Sequence, residues 1–478
     1  MSVIVIGGGL SGMAVAFHMQ QRGIPVVLLE RAPRLGGNIQ THIRNGFVLE
    51  NGPNSFFDRE PSMRELARSL GVEDLIQPAT DAARKRYIYT RGQLRALPRS
   101  PPSFLGSDIL PLTSRLRVLG DLFTRRAHHD GDESLAHFGH RHFGHTATNV
   151  LLDAAQSGLF AGDLDALSAR AAMPRLAELE RAHRSILWGL VRGRPARKPP
   201  VGHDAKAPLS GALCSFRGGL QRMVDALARR LGTIAHTRAH VERLIPVPGG
   251  WRVVVREQGE HKELEASRVA VCTPAHTAAH LLRGLDAELG TLLEGITYAP
   301  VAVVHMGFAP GSAPRPEGAG FLVPASEKRR LLGALHSSTL FPWRAEGERV
   351  LYTCMVGGAR QPELASLPQE ELITLVREEL ADIAGVRAEP AVTDVVRWPH
   401  ALPQYTVGHR ERLAAIDRAV ARWPGLHLTG NAYRGISMVD CVYNAAVLAD
   451  QLSGRQSDAS APPSNRSEKD DPSSPRAL

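Results

Sequence analysis

Aromatic residues make up only 5% of this 478-residue chain, and it holds four cysteines. Cys214, Cys272, Cys354 and Cys441 lie too far apart for a zinc spacing or a disulfide framework, which excludes both classes. They read as reduced packing residues. No uninterrupted apolar stretch reaches the ~18 residues expected of a spanning helix. The N-terminus enters a strand-like run almost at once and leaves no room for a signal peptide, so cytosolic synthesis without export is expected. A net charge of +9 has no compact Lys/Arg block behind it. With so few aromatics, nothing resembles a nucleic-acid module, and an acidic lipid surface or a carboxylated substrate fits the charge better. Apolar residues at 43% and charged residues at 22% are ordinary for a globular protein, and the length allows two or three domains.

What the chain does have stands at its start. Ser2-Val3-Ile4-Val5-Ile6 breaks into Gly7-Gly8-Gly9-Leu10-Ser11-Gly12 and then into a helical pattern. This is G-x-G-x-x-G in a strand–turn–helix setting. Gly7 suits the tight turn, Gly9 lets a pyrophosphate approach the main chain, and Gly12 lets the helix pack closely on the strand. The helix N-terminus adds unpaired N–H groups and about half a positive charge. A second apolar run, Val26 to Leu29, ends in Glu30, a candidate acceptor for ribose hydroxyls. Glu30-Arg31-Ala32-Pro33-Arg34-Leu35-Gly36-Gly37 then resembles the flavoprotein extension of the fingerprint. Arg34 offers a fork of donors to a phosphate oxygen and Gly36-Gly37 a second close backbone pass. FAD is therefore favoured over NAD.

Pieces of the nucleotide domain recur late. Gly218-Gly219-Leu220 opens an amphipathic stretch with Met223, Leu227 and Leu231 at helical spacing. Ala239 to Leu244 is a strand that places Val241 near the adenine half of the flavin, and Trp251–Val255 pairs with Lys262–Leu264 as a hairpin. Ala270–Pro274 and Leu426–Asn431 are further buried-strand patterns. The expected fold class is α/β: a Rossmann-like FAD-binding domain, a mixed-sheet substrate domain and a helical, membrane-associating insert. The expected FAD-binding parts are residues 1–81, 211–280 and 395–453, and the substrate domain takes 82–95 and 281–394. The insert spans 96–210, with Leu112, Leu116, Leu119 and Phe123 on one face and Arg115, Arg125 and Arg126 elsewhere; such a basic amphipathic stretch suits a membrane surface or a helical core. Residues 454–478, rich in Ser, Pro and charge, are expected to be disordered.

With those segments in view, the chain resembles the oxygen-dependent protoporphyrinogen IX oxidase family, within the flavin-containing amine oxidase superfamily. The landmarks are Gly52-Pro53-Asn54-Ser55-Phe56, Lys85-Arg86-Tyr87-Ile88-Tyr89 and Ser157-Gly158-Leu159-Phe160-Ala161-Gly162-Asp163. They continue with Ser338–Pro342, Pro403-Gln404-Tyr405-Thr406-Val407-Gly408-His409 and Gly430-Asn431-Ala432-Tyr433-Arg434-Gly435. The resemblance implies that Gly52, Pro53, Asn54 and Ser55 border the flavin, and that Trp398, Gly430, Asn431, Ile436, Ser437 and Met438 complete its site. It implies Arg86 as the propionate partner, since a planar fork suits a carboxylate. Leu322 and Phe341 would sandwich the macrocycle, with Gly158, Phe160, Ala161 and Gly162 beside the reacting carbon.

The implied reaction removes hydride from a meso carbon to flavin N5, with loss of a pyrrole proton, and returns electrons to O2 as hydrogen peroxide. The flavin carries the chemistry and no side-chain general base is expected. Other substrates stay open: coproporphyrinogen III, with four propionates, or an amine or carotenoid on the same scaffold; a non-catalytic flavin-binding scaffold is a further class. The partners expected are a porphyrinogen, O2, a peripheral membrane surface on the cytoplasmic face of the inner membrane and a second copy in a homodimer, with no nucleic acid. His128, His129, His137, His140, His142 and His145 crowd one region, but no cysteines accompany them. They read as a solvated helix face, and no metal is expected.

Overall fold

The computed structural model describes residues 1–123, 131–192 and 211–454. Its first sheet is parallel and five-stranded, and it is assembled from distant parts of the chain. Strand β1 (Val3–Ile6) lies between β2 (Val26–Leu29) and Arg268–Val271; Ala235–His236 and Leu426–Leu428 close the two edges. All four residues of β1 are buried, as expected of a central parallel strand covered on both faces. Helix α1 (Leu10–Gln21) joins β1 to β2 and packs against Gln221–Leu231 and Met438–Leu452. Met13, Phe17 and Met19 fill that core with Met223, Leu227 and Val442. On the other face the meander Ala239–Val247, Gly250–Glu257 and Glu260–Ala266 covers the sheet, with Trp251 and Val253 inward. Arg238 and Ala239 donate backbone bonds to Ala32 and Glu30 at 3.0 and 2.9 Å, which ties the meander to the end of β2.

The second sheet is mixed and seven-stranded, in the spatial order Val392–Pro403, Tyr298–Phe308, Val350–Gly357, Leu331–His336, Gly320–Leu322, Tyr87–Thr90 and Gln93–Ala96. Segment 82–95 thus meets the 281–394 region through a parallel pairing of Tyr87 and Ile88 with Phe321 and Leu322. The strand Val392–Pro403 runs from this sheet back to the nucleotide domain.

The described part of 96–210 is helical, including Leu112–Leu119, Leu135–Phe143, Asp153–Phe160 and Pro174–His183. Its surface is inverted relative to a simple core helix. Leu112 and Leu116 are 59% and 54% exposed and Phe123 is 86% exposed, while Arg115 and Arg117 turn onto backbone carbonyls of Leu105, Arg141 and His142. No described helix is long and apolar enough to cross a membrane. Arg125, Arg126 and the tail from residue 455 onward lie outside the described residues.

The expected solvated histidine face is corrected here. His137 and His145 are exposed, but His142 is fully buried between Asp121, bound through Nδ1, and Glu180, 3.3 Å from Nε2. Burial by itself would lower its pKa, yet the two carboxylates hold it above the ordinary imidazole value. The ring pins Asp121 and the Ser185–Leu187 turn, whose Ser185 hydroxyl and Leu187 amide both donate to Asp121 at 2.8 Å. His128 and His129 lie outside the described residues, and among those described no cluster suits a metal ion.

Candidate active site

The glycine fingerprint shapes an open cradle. Gly7 takes φ +105, which turns the chain from β1 toward α1. A Cβ on Gly12 would sit 1.9 Å from the Gly7 carbonyl oxygen, so that residue is required for packing. A Cβ on Gly9, the N-cap of α1, would meet nothing within 4 Å. The space above Gly9 is therefore free for a ligand, and the N–H groups around Leu10, Ser11 and Gly12 open toward it. The Gly36 amide donates to Gly8 O at 2.8 Å and Gly37 packs on Gly9, so the second glycine pair flanks the cradle. Glu30 closes its far end. Its oxygens accept from the Gly8 amide at 2.6 Å and the Ala32 amide at 2.7 Å, and each keeps a lone pair for a ribose hydroxyl. Arg31 is exposed beside it and lines a basic cavity of about 460 Å3 with Arg238, His240 and Arg256. Val241 is buried on the opposite face of the same strand, at a β-bulge.

The Arg34 guanidinium donates to the carbonyls of Leu35 at 2.9 Å, Ile39 at 3.1 Å and Gly37. Three backbone acceptors take part of the fork, so Arg34 also holds the Gly36-Gly37 turn in shape.

The turn Gly52-Pro53-Asn54-Ser55 is pinned from several sides. The carbonyl of Asn51 accepts from Trp398 Nε1 at 2.6 Å, which docks the indole beside the turn. The buried Asn51 Oδ1 accepts from His305 Nε2 at 3.1 Å, and Thr353 caps the other ring nitrogen at 3.1 Å. Burial pushes His305 down to about 3, so the ring is a neutral spacer. Below the turn sits Arg344, which the sequence reading missed. Arg344 and Glu50 are each 1% exposed and lie 3.7 Å apart. The Arg344 fork donates to Asn54 O and to Ser215 Oγ at 3.1 Å, while Glu50 accepts from Leu220 N and Thr41 Oγ1 at 2.8 Å each. Burial lowers Arg344 to about 10 and raises Glu50. Only its place after the landmark Ser338–Pro342 hinted at it.

On the carboxyl side, Tyr405 Oη donates to Asn431 O at 2.6 Å and accepts from Gly435 N at 3.1 Å, which fixes the Gly430–Gly435 loop. Gly430 has φ +143, and a Cβ there would lie 4.0 Å from the Tyr433 ring. Ile436 packs on the insert, Ser437 caps the helix Met438–Leu452 in a capping box with Asp440, and Met438 faces the core. The helix N-terminus with its cap suits the pyrimidine oxygens of a flavin, where negative charge gathers on reduction.

The substrate residues divide. Gly158 and Leu322 meet, since a Cβ on Gly158 would lie 3.3 Å from the Leu322 side chain, and Gly158 and Leu159 are exposed. Ala161 shares a cluster with Val301, Val303, Leu332 and Trp398, which brings the substrate segment to the flavin side. Arg86 is exposed, has no ion pair among the described residues and lies 5.7 Å from the centre of Phe57, two residues past Ser55. Two expectations are corrected. Phe341 is 1% exposed, packed with Ala319 and Leu340 under the Arg344 guanidinium at 4.5 Å, so it is core and not an open wall. Phe160 is 2% exposed and packs on Tyr405 at 5.4 Å; it offers only backbone to the site.

Comparison with known proteins settles the kinship. The family model for flavin containing amine oxidoreductase matches residues 10–452. The chain is 31% identical to the chloroplastic protoporphyrinogen oxidase of Oryza sativa subsp. japonica, covering 94% of this chain and 88% of that one. The chain belongs to the protoporphyrinogen oxidase family of flavin-containing amine oxidoreductases. Human protoporphyrinogen oxidase, a member of the family, is 30% identical over 95% of this chain and 99% of its own. The coproporphyrinogen III oxidase of Bacillus subtilis (strain 168) is 28% identical over 94% and 97%. A crystal structure from Exiguobacterium sp. 255-15 superposes with a TM-score of 0.81 at 23% identity, over 95% of this chain and 99% of that chain, and shows the shared fold. FAD is the family's cofactor, and the open Gly9 cradle, Glu30 and the two helix N-termini fit it.

Proposed function

We propose that this protein oxidises protoporphyrinogen IX to protoporphyrin IX, with O2 as acceptor and hydrogen peroxide as product. The observation that carries the reading is how three segments meet: Arg86, exposed and without an ion pair among the described residues, directly precedes the strand that pairs with Phe321 and Leu322, and Leu322 meets the exposed Gly158. Three residues past Gly158, Ala161 shares a cluster with Trp398, which is bonded to Asn51 beside the flavin turn. FAD supplies the redox chemistry when bound, and the chain supplies position and dryness. Arg86 orients a propionate, Leu322 and Gly158 form one apolar wall for the puckered macrocycle, and Ala161, Leu332 and Met355 pack behind it to exclude water. No side-chain base is required of the wall.

The second reading is coproporphyrinogen III. It is favoured by the Bacillus relative and by a second guanidinium, that of Arg59, 4.4 Å from the Phe57 ring centre that Arg86 also approaches. Oxygen uptake with each porphyrinogen separates the two, and faster turnover of the four-carboxylate compound overturns the first. Arg86→Met is expected to raise KM about 10- to 100-fold, the worth of a charge-assisted carboxylate contact, while FAD content stays unchanged. An unaltered KM removes Arg86 from substrate recognition.

The exposed Leu112, Leu116 and Phe123, set among basic residues, support peripheral attachment to the cytoplasmic face of the inner membrane. Vesicles containing anionic lipid are expected to carry the holoprotein upward on flotation at low salt. Protein left wholly in the soluble fraction refutes this.

A further inference from the structure

Ala161 ends the helix Asp153–Phe160 at φ +45, a left-handed backbone that favours glycine. Ending the helix does not require alanine there, because glycine would make the same turn without strain. The next residue, Gly162, has no room for a side chain: its Cβ would lie 2.7 Å from Gln404 Oε1. Two buried carboxamides grip the peptide units on either side of Ala161. Gln404 Nε2 donates to Phe160 O at 2.8 Å. Gln156 both accepts from the Gly162 amide and donates to the Gly162 carbonyl, each at 3.0 Å. The Ala161 carbonyl is taken in turn by the Ala359 amide at 2.7 Å. Behind Gln156 stands Asp153, 2.9 Å from its Nε2, held by Arg360 at 2.5 Å and the Ala325 amide at 2.7 Å.

The strained residue is itself buried, 3% exposed, and anchors the end of a helix whose Gly158 and Leu159 are exposed. Ala161 packs in the cluster that includes Trp398, and Trp398 is bonded to Asn51, directly before the Gly52 turn. Strain of this kind persists only where the surroundings over-determine it. Here the surroundings are two carboxamides with their hydrogen bonds aimed at consecutive peptides.

We propose that Gln156 and Gln404 are positioning residues that force the buried Ala161 into its left-handed conformation and thereby fix the exposed helix end, Gly158 and Leu159, as the wall against which a porphyrinogen lies. The proposal rests on the substrate reading above and names what holds that site in register. Misplacing such a wall slows the chemical step while leaving the carboxylate contact at Arg86 in place.

The decisive variant is Ala161→Gly, which releases strain and removes the methyl without burying anything new. It is expected to melt at or above the parent temperature and to retain FAD. Its flavin should be reduced by porphyrinogen about tenfold more slowly under anaerobic stopped-flow conditions, with KM and reoxidation by O2 unchanged. Gln404→Leu should slow the same step, and the double variant should be no slower than the slower single, because both changes free the same turn. A parent-like reduction rate in Ala161→Gly, or losses that simply multiply in the double variant, overturns the proposal. If Gln404→Leu does not fold, Ala161→Gly alone decides. A parent protein whose flavin neither porphyrinogen reduces refutes the substrate reading itself, and that failure is recognised by its appearing before any substitution is made.

Discussion

Gly9→Val is expected to yield a folded but colourless protein. The Cβ of residue 9 would meet no protein atom within 4 Å, so the fold has room for it. Residue 9 is the N-cap of α1 in extended backbone, φ −70 and ψ 177, which valine adopts without strain. Losing glycine at an N-cap costs about 1 kcal/mol or less. The isopropyl group would instead fill the space over the helix N-terminus where the pyrophosphate must sit, and would cover N–H groups that have no other partner. Affinity for FAD should fall by at least about 100-fold, near 3 kcal/mol. The measurement is flavin absorbance per protein after gel filtration, beside a thermal melt of both proteins stripped of flavin. Stoichiometric flavin in the variant would place the pyrophosphate elsewhere. Gly12→Val is the contrast: with a Cβ 1.9 Å from the Gly7 carbonyl oxygen, it should damage the fold before it damages the ligand site.

Arg344→Met should be the most destabilising single change near the site. Arg344 and Glu50 are both 1% exposed, and removing the guanidinium leaves Glu50 as a buried carboxylate without its cation. Breaking a buried pair from one side costs about 3–5 kcal/mol. The same change frees the Asn54 carbonyl and Ser215, so the turn that borders the flavin loses its anchor. Urea unfolding of the variant should show that loss together with weaker flavin retention. Glu50→Gln added to Arg344→Met should recover part of the stability, because the stranded charge is then gone. A single variant within about 1 kcal/mol of the parent would mean that the carboxyl protonates and stays buried at little cost.

The placement of Arg344 marks where sequence reasoning reached its limit. The motif at Gly7–Gly12 was legible because its requirements are local: a turn, a close approach and a helix start lie within one short stretch. The same holds for Glu30 at the end of β2. The bonds from Arg34 to the carbonyls of Leu35, Gly37 and Ile39 were not legible, because a free guanidinium and one bonded to nearby carbonyls have the same sequence signature. Phe341 and Phe160 were misread for a related reason: an aromatic ring beside a site and one beneath it differ only in which way the backbone turns. The histidine cluster failed at His142 because burial beside Asp121 and Glu180 depends on helices that the chain reaches 21 residues before and 38 residues after it.

By itself the sequence determined the dinucleotide cradle, the alternation of nucleotide and substrate segments and the kinship that FAD and a porphyrinogen follow from. Each depends on spacing between neighbouring residues, which the backbone period and glycine's lack of a side chain convert directly into shape. Only the tertiary structure decided what braces the site: Arg344 under the Asn54 turn, His305 against Asn51, and Gln156 with Gln404 around Ala161. These contacts join segments separated by up to 290 residues, and a buried polar group is defined by the partners that replace its water. No local pattern encodes those partners, because the fold brings them together.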